Sequence, residues 1–160
     1  MPSIATLCIR GGSGYQGRER SKEVSAYGEF RTVMSEERYL VEGLTAMGYR
    51  VEVHADGAAL VGYHGDERRE TAHVIIRRAQ LDSASNDIGF VRGKDGRYQA
   101  ILSEYDRSIG YGNQWLGRVH QHYKESQTLA VAKSKGYIFR GKEVIQTANG
   151  PQIRLQFVAR

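Results

Sequence analysis

The chain has 160 residues, 40% of them hydrophobic and 26% charged. That is ordinary globular usage with enough material for one real core, which excludes a disordered or fibrous chain and predicts one domain over residues 1–160. No run approaches the roughly 18 apolar residues of a membrane span, and residues 1–10 hold no basic leader followed by a long apolar run, so the sequence predicts a cytoplasmic protein with no membrane role.

Lys and Arg number 23 against 18 Asp and Glu, a net charge of +5. Most of the basic residues are Arg, whose planar fork suits phosphate or carboxylate, so nucleic acid and an acidic protein surface are both candidate partners. The basic residues are scattered, with tight groups only at Arg18, Arg20 and Lys22, at Arg68 and Arg69, and at Arg77 and Arg78. A single cysteine, Cys8, cannot close an internal disulfide, in keeping with a reducing compartment.

Residues 3–9 alternate two largely apolar rows, which predicts a strand covered on both faces. Residues 10–28 then carry repeated glycines among charged groups, with Val24 the one aliphatic side chain beyond alanine. That is too little apolar surface to fold by itself and reads as a flexible Gly-rich loop or arm. Residues 29–34 can be extended. Ser35 is positioned to cap a helix opening on Glu36 and Glu37, whose stripe is Leu40, Val41, Leu44 and Met47 and whose end is Gly48. Residues 50–54 read as a strand ending in a turn at Asp56-Gly57, followed by strands over 73–78, 87–91 and 97–102. The last two form a hairpin around Asp95-Gly96, with Tyr98, Ala100 and Leu102 on one face.

A longer helix is predicted from a cap at Asn113 to about Lys135, along Trp115, Leu116, Val119, Tyr123, Ala130 and Val131, and ends at Gly136. The tail reads as strands over 137–140, 143–147 and 152–159, the last two joined at Asn149-Gly150. Both helices pass through Gly-Tyr into a strand, at Gly48-Tyr49 and Gly136-Tyr137. This is either a pseudo-repeat or two unrelated corners that share a common cap. The fold class is α+β, an antiparallel or mixed sheet with two amphipathic helices packed on one face.

Chemistry-bearing patterns are few. Gly12-Ser13-Gly14-Tyr15-Gln16-Gly17 has the spacing G-x-G-x-x-G, but a dinucleotide site needs that loop to open a helix with an apolar stripe, and residues 18–27 have none. No phosphate-loop Gly-Lys-Ser or Gly-Lys-Thr occurs. His120 and His122 sit two apart on a helix and point about 200° from one another, so they cannot share a metal as an i, i+4 pair would. Cys8 in an apolar strand reads as a buried, inert thiol. No serine or cysteine lies in a hydrolase elbow. The expectation is therefore no catalytic residue, no cofactor and no metal. Of ten tyrosines, Tyr49, Tyr98 and Tyr123 fall at core edges, and others are suited to an interface.

Residues 44–53 (LTAMGYRVEV), Gly62-Tyr63-His64-Gly65, residues 72–77 (AHVIIR), Asp87-Ile88-Gly89-Phe90, Asp95-Gly96-Arg97-Tyr98 and residues 119–123 (VHQHY) before Ala132 and Gly136 appear in a characteristic order and spacing. In this the chain resembles domain-of-unknown-function family 1257, uncharacterised proteins of bacteria, cyanobacteria and algal plastids, over residues 29–160. The stretch 11–28 is additional to that pattern. The resemblance implies no assigned catalytic residues and, from genes that lie beside an AAA-type ATPase, a partner or adaptor role by association. The reading that follows is a non-enzymatic interaction module, with Tyr63, His64, Arg77, Arg78, Asp87 and Phe90 as candidate partner-binding residues. The alternative is a nucleic-acid-binding protein that uses Arg18, Arg20 and Lys22.

Overall fold

The structure is a computed structural model that describes residues 4–10, 17–18 and 26–160. In chain order the strands are β1 (Ile4–Arg10), β2 (Gly17–Arg18) and β3 (Tyr27–Arg31), followed by helix α1 (Glu37–Ala46). Strands β4 (Glu52–Val61), β5 (Glu67–Ile76), β6 (Ile88–Arg92) and β7 (Tyr98–Ser103) follow. Helices α2 (Glu104–Ser108) and α3 (Asn113–Ser134) lead into β8 (Tyr137–Thr147) and β9 (Gly150–Ala159). The expected single sheet is in fact two, both antiparallel throughout: β2-β3-β7-β6-β5-β4 and β1-β9-β8. The fold is α+β.

The two sheets follow from the length of α3. Its 22 residues rise roughly 33 Å at 1.5 Å each, further than one cluster of its side chains covers. Trp115, Leu116, Val119 and Tyr123 belong to the core built on the large sheet, with Tyr39, Leu40 and Leu44 of α1 against Phe30, Val74, Ile76, Ile88, Phe90, Tyr98, Ala100 and Leu102. Leu129 and Ala132, two turns further on, pack instead on Ile9, Ile153, Leu155 and Phe157 of the small sheet. Strand alternation sends Ile75 and Ile101 to the other side of the large sheet, where they join Tyr27, Leu60 and Ala72. Trp115 is the aromatic hub. Phe90 stacks on it at 6.4 Å, the Tyr111 and Tyr49 rings meet it edge-on at 5.7 and 6.2 Å, and its indole N–H donates to Tyr49 Oη at 3.1 Å.

Several local expectations are corrected. Ser35 does not cap α1. The residue before the helix is Glu36, with no side-chain cap, and the Ser35 and Glu36 N–H groups donate to Tyr123 Oη of α3 at 3.2 and 3.1 Å. The two helices approach so closely that a Cβ on Gly43 would lie 2.9 Å from the Tyr123 backbone nitrogen. Asn113 is the first helical residue of α3 and not its cap. Asp56-Gly57 is no turn: β4 runs through it with a register shift between Val53 and Ala58, and Gly57 takes φ +80°. The reversal comes at residues 62–66. The two tail strands before Asn149 are one strand, β8, with an irregularity at Arg140. The short helix α2 was not anticipated, although Ser103, three residues before Asp106, is the spacing of a capping box.

Of the stretch expected to be a free loop, Gly17 and Arg18 pair with Phe30 and Glu29, and Tyr27 and Gly28 lie in β3. Residues 11–16 and 19–25 of it, with most of the glycine motif, lie outside the described residues. Strand β1 is not covered on both faces. Among the described residues it is an edge strand, and Leu7 and Cys8 are exposed while Ile9 is buried. The two Gly-Tyr corners share a left-handed glycine, Gly48 at φ +94° and Gly136 at +82°, but feed different sheets. No described helix is long and apolar enough to cross a membrane.

Leu116 and Leu155 are fully buried in the large-sheet and small-sheet cores respectively. Truncating either to Ala is expected to cost about 2–5 kcal/mol, read as a fall in the urea midpoint at unchanged slope.

Candidate functional site

The candidate residues gather where the ends of β4, β5 and β6 meet. Asp87 precedes β6 and its side chain is buried. A buried carboxylate is tolerated only where donors surround it. Three do: Val61 N–H at 2.8 Å and Arg77 Nη1 at 2.7 Å on Oδ2, and Arg78 N–H at 2.8 Å on Oδ1. The Asp87 backbone completes the joint, since its N–H donates to Val61 O at 2.9 Å and its carbonyl accepts from Tyr27 Oη at 3.0 Å. Burial, reinforced by the charges of Asp87 and Asp106, drives the Tyr27 phenol well above its ordinary pKa, so it stays a donor.

Arg77 bridges outward from this joint. Its Nε and Nη2 donate to Glu52 Oε2 at 2.9 and 2.7 Å, and Nη1 also reaches Ala59 O at 3.2 Å. Hydrogen bonding to Glu52 first, then to Asp87, raises the guanidinium pKa above its ordinary value. Glu52 in turn is pulled down to about 2, chiefly by Arg77 and then by His54, whose Nε2 lies 2.9 Å from the same carboxylate oxygen. Arg77 is thus committed to two carboxylates, whatever its position at a strand end suggests.

Beside Asp87, buried Asn86 carries a second set of bonds. Its Nδ2 donates to Ser103 Oγ at 3.0 Å and to Asp106 Oδ2 at 3.2 Å, while its Oδ1 accepts from Tyr63 N–H at 2.9 Å. Ser103 Oγ donates to Asp106 Oδ2 at 2.5 Å and accepts from Asp106 N–H at 3.0 Å. The turn 62–65 is therefore pinned from beneath by Asn86 and Asp87, and closed by Gly62 N–H to Asp66 O at 2.8 Å. On top of it Tyr63 is 45% exposed, the His64 ring lies 4.8 Å from its ring, and the Arg78 guanidinium sits 6.0 Å over it.

The candidates hence divide. Tyr63, His64 and Arg78 form one surface group. Asp87 and Arg77 are its buried and half-buried foundation. Phe90 is 0% exposed against Trp115, so it offers a partner no surface and belongs to the core. Backbone alone describes Arg18, in β2, and Arg20 and Lys22 lie outside the described residues. Sequence reasoning missed Glu52, Asn86, Ser103 and Asp106. Only the Ser103-x-x-Asp106 spacing could have signalled any of them.

The remaining histidines do not converge. His73 Nδ1 accepts from Arg92 N–H at 3.0 Å, and His120 and His122 are both half-buried on α3, their pKa lowered foremost by burial. Among the described residues no three His, Cys, Asp or Glu side chains gather as a metal site. An open apolar groove of about 400 Å³ lies between β1 and the end of α3, lined by Leu7, Val131, Tyr137 and Phe157, far in sequence from the pinned turn.

Residues 43–154, which include the turn and its foundation, match the family described as "Protein of unknown function (DUF1257)". No curated protein and no solved structure matches the chain.

Replacing Asp87 by Asn aims an amide NH₂ at one of three converging donors. The expected cost is about 1.5–3 kcal/mol, measured by urea unfolding. The Glu52 carboxylate titrates below its ordinary 4.5 when folded, so its stabilisation is complete above that value and lost as pH falls through about 2. The stability gap between the wild type and Glu52→Gln should therefore be present at pH 7 and close between pH 4.5 and 2.

Proposed function

The chain belongs to that family of unknown function, so its role rests on its own surface, and we propose a non-enzymatic protein-interaction module that contacts its partner through the turn 62–65 and Arg78. The supporting observation is the exposed Tyr63 held by its own N–H on buried Asn86. An aromatic ring on a rigid base loses little freedom on binding, and Tyr with Arg is the pairing enriched at interface hot spots. The cationic Arg78 over that ring suits a partner with an acidic rim. An AAA-type ATPase is the candidate partner, from the gene neighbourhood of the family.

The nucleic-acid reading has less behind it among the described residues, because two of its three candidate residues, Arg20 and Lys22, lie outside them. Tyr63→Ala combined with Arg78→Glu leaves the foundation intact and is expected to change stability by no more than about 0.5 kcal/mol. The same variant should lose binding to the purified neighbouring ATPase by tenfold or more in a titration. Unchanged ATPase affinity in the variant rejects this surface. Tight binding of a random oligonucleotide by the wild type, falling steeply with salt, favours nucleic acid instead.

A further inference from the structure

Among the described residues the small sheet has two open edges, and they differ. On β8 the exposed Lys142 and the irregularity at Arg140 interrupt the edge, the devices by which natural sheets prevent a further strand from adding. Strand β1 has neither. It pairs with β9 without a register shift from Ile4 to Arg10, residues 4–9 hold no proline and no charge, and its one charged residue, Arg10, stands at its end. One row of its backbone N–H and C=O groups therefore has no ladder partner among the described residues.

The apolar layer beneath α3 continues past this edge. Leu7 stands in register with Leu155, so the two share the side of the sheet on which Leu129 and Ala132 of α3 pack. Yet Leu155 is 0% exposed and Leu7 is 46% exposed. The difference is the neighbour, since Leu155 has a strand on either side and Leu7 has one. Val131, from the apolar stripe read in α3, is also exposed. Both line the groove of about 400 Å³ between β1 and α3, whose walls also include Phe157 and Tyr137. An open strand edge beside an apolar groove is the arrangement in which an extended peptide adds to a sheet, its backbone continuing the ladder and alternate side chains filling the groove.

Charge selects the peptide. Lys135 is the one charged side chain among the described residues of the groove wall, and it has no ion-pair partner among the described residues. A second copy of this chain would bring its own Lys135 and a net charge of +5 to the same place. We propose that the β1 edge and the groove beside it bind an extended acidic peptide of a partner protein, with an apolar side chain between Leu7 and Val131 and a carboxylate at Lys135. This surface lies on the small sheet, independent of the turn 62–65 on the large one.

The test uses the full chain under reducing conditions, since Cys8 lies in β1 and is exposed. The probe is a fluorescein-labelled seven-residue peptide that alternates glutamate with valine and leucine. Binding should saturate below about 1 mM, and hydrogen exchange should slow at the β1 amides that do not bond to β9. Val131→Glu and Lys135→Glu, both at exposed positions, should each weaken binding about tenfold or more, and Lys135→Glu should prefer a peptide with lysine at each glutamate position. Tyr63→Ala combined with Arg78→Glu should bind the probe as the wild type does. Absence of binding at about 1 mM overturns the proposal, as does unchanged affinity in Val131→Glu or equal affinity of the wild type for the lysine peptide. Bound peptide that leaves β1 exchange unchanged also overturns it, and so does β1 exchange that slows with protein concentration alone, the signature of a second copy on this edge.

Discussion

The carboxylate of Asp87 is the joint on which the rest of the large sheet's open end depends. Its oxygens take the N–H of Val61 at the end of β4, the N–H of Arg78 beyond β5 and the guanidinium of Arg77. No ladder bond can do this, because strand pairing stops where the chain turns away and leaves backbone donors unmatched. One buried negative charge accepts from all of them at once. The cost of burying it is offset by charge-assisted bonds, and Arg77 passes the compensation on to Glu52 at the surface.

The same arrangement separates a fixed base from the exposed side chains above it. Asn86, next to Asp87, holds the backbone of Tyr63 and leaves the ring outside. The polar groups below are satisfied by one another through Ser103 and Asp106, so they specify one placement of the turn without offering reactive chemistry. Asp87 and Arg77 resemble a functional pair in isolation and act as foundation. The side chains free to meet another molecule are the ones above them.

Physical period made much of the fold legible. Leu40 and Leu44 in α1 and Trp115, Leu116, Val119 and Tyr123 in α3 are buried as read, while Val41, Met47 and Ala130 of the same stripes are only partly buried and Val131 is exposed; the alternation Ile153, Leu155, Phe157 in β9 faces the core. The misreadings share a cause. Asp56-Gly57 and the interval around Gly141 carry turn-forming residues, yet in both places the partner strand continues the ladder and the chain absorbs the glycine as an irregularity. Ser35 has the chemistry of a cap, but Glu36 stands before the helix and the Ser35 N–H is held by Tyr123, a phenol 88 residues away. Phe90 lies in an accessible-looking Gly-Phe stretch and stacks on Trp115. In each case a local propensity worth about 1 kcal/mol yields to packing worth more.

The sequence by itself determined the class of fold, the two helical stripes, the hairpin around Gly96 and the family, because these depend on spacing along the chain. Tertiary structure alone decided that there are two sheets, that Cys8 and Leu7 are exposed, that Asp87 and Arg77 close on each other and on Glu52, and that Phe139 shares a side with Val144. Each of those depends on which distant segment occupies the neighbouring space, and spacing along one chain does not encode that by itself.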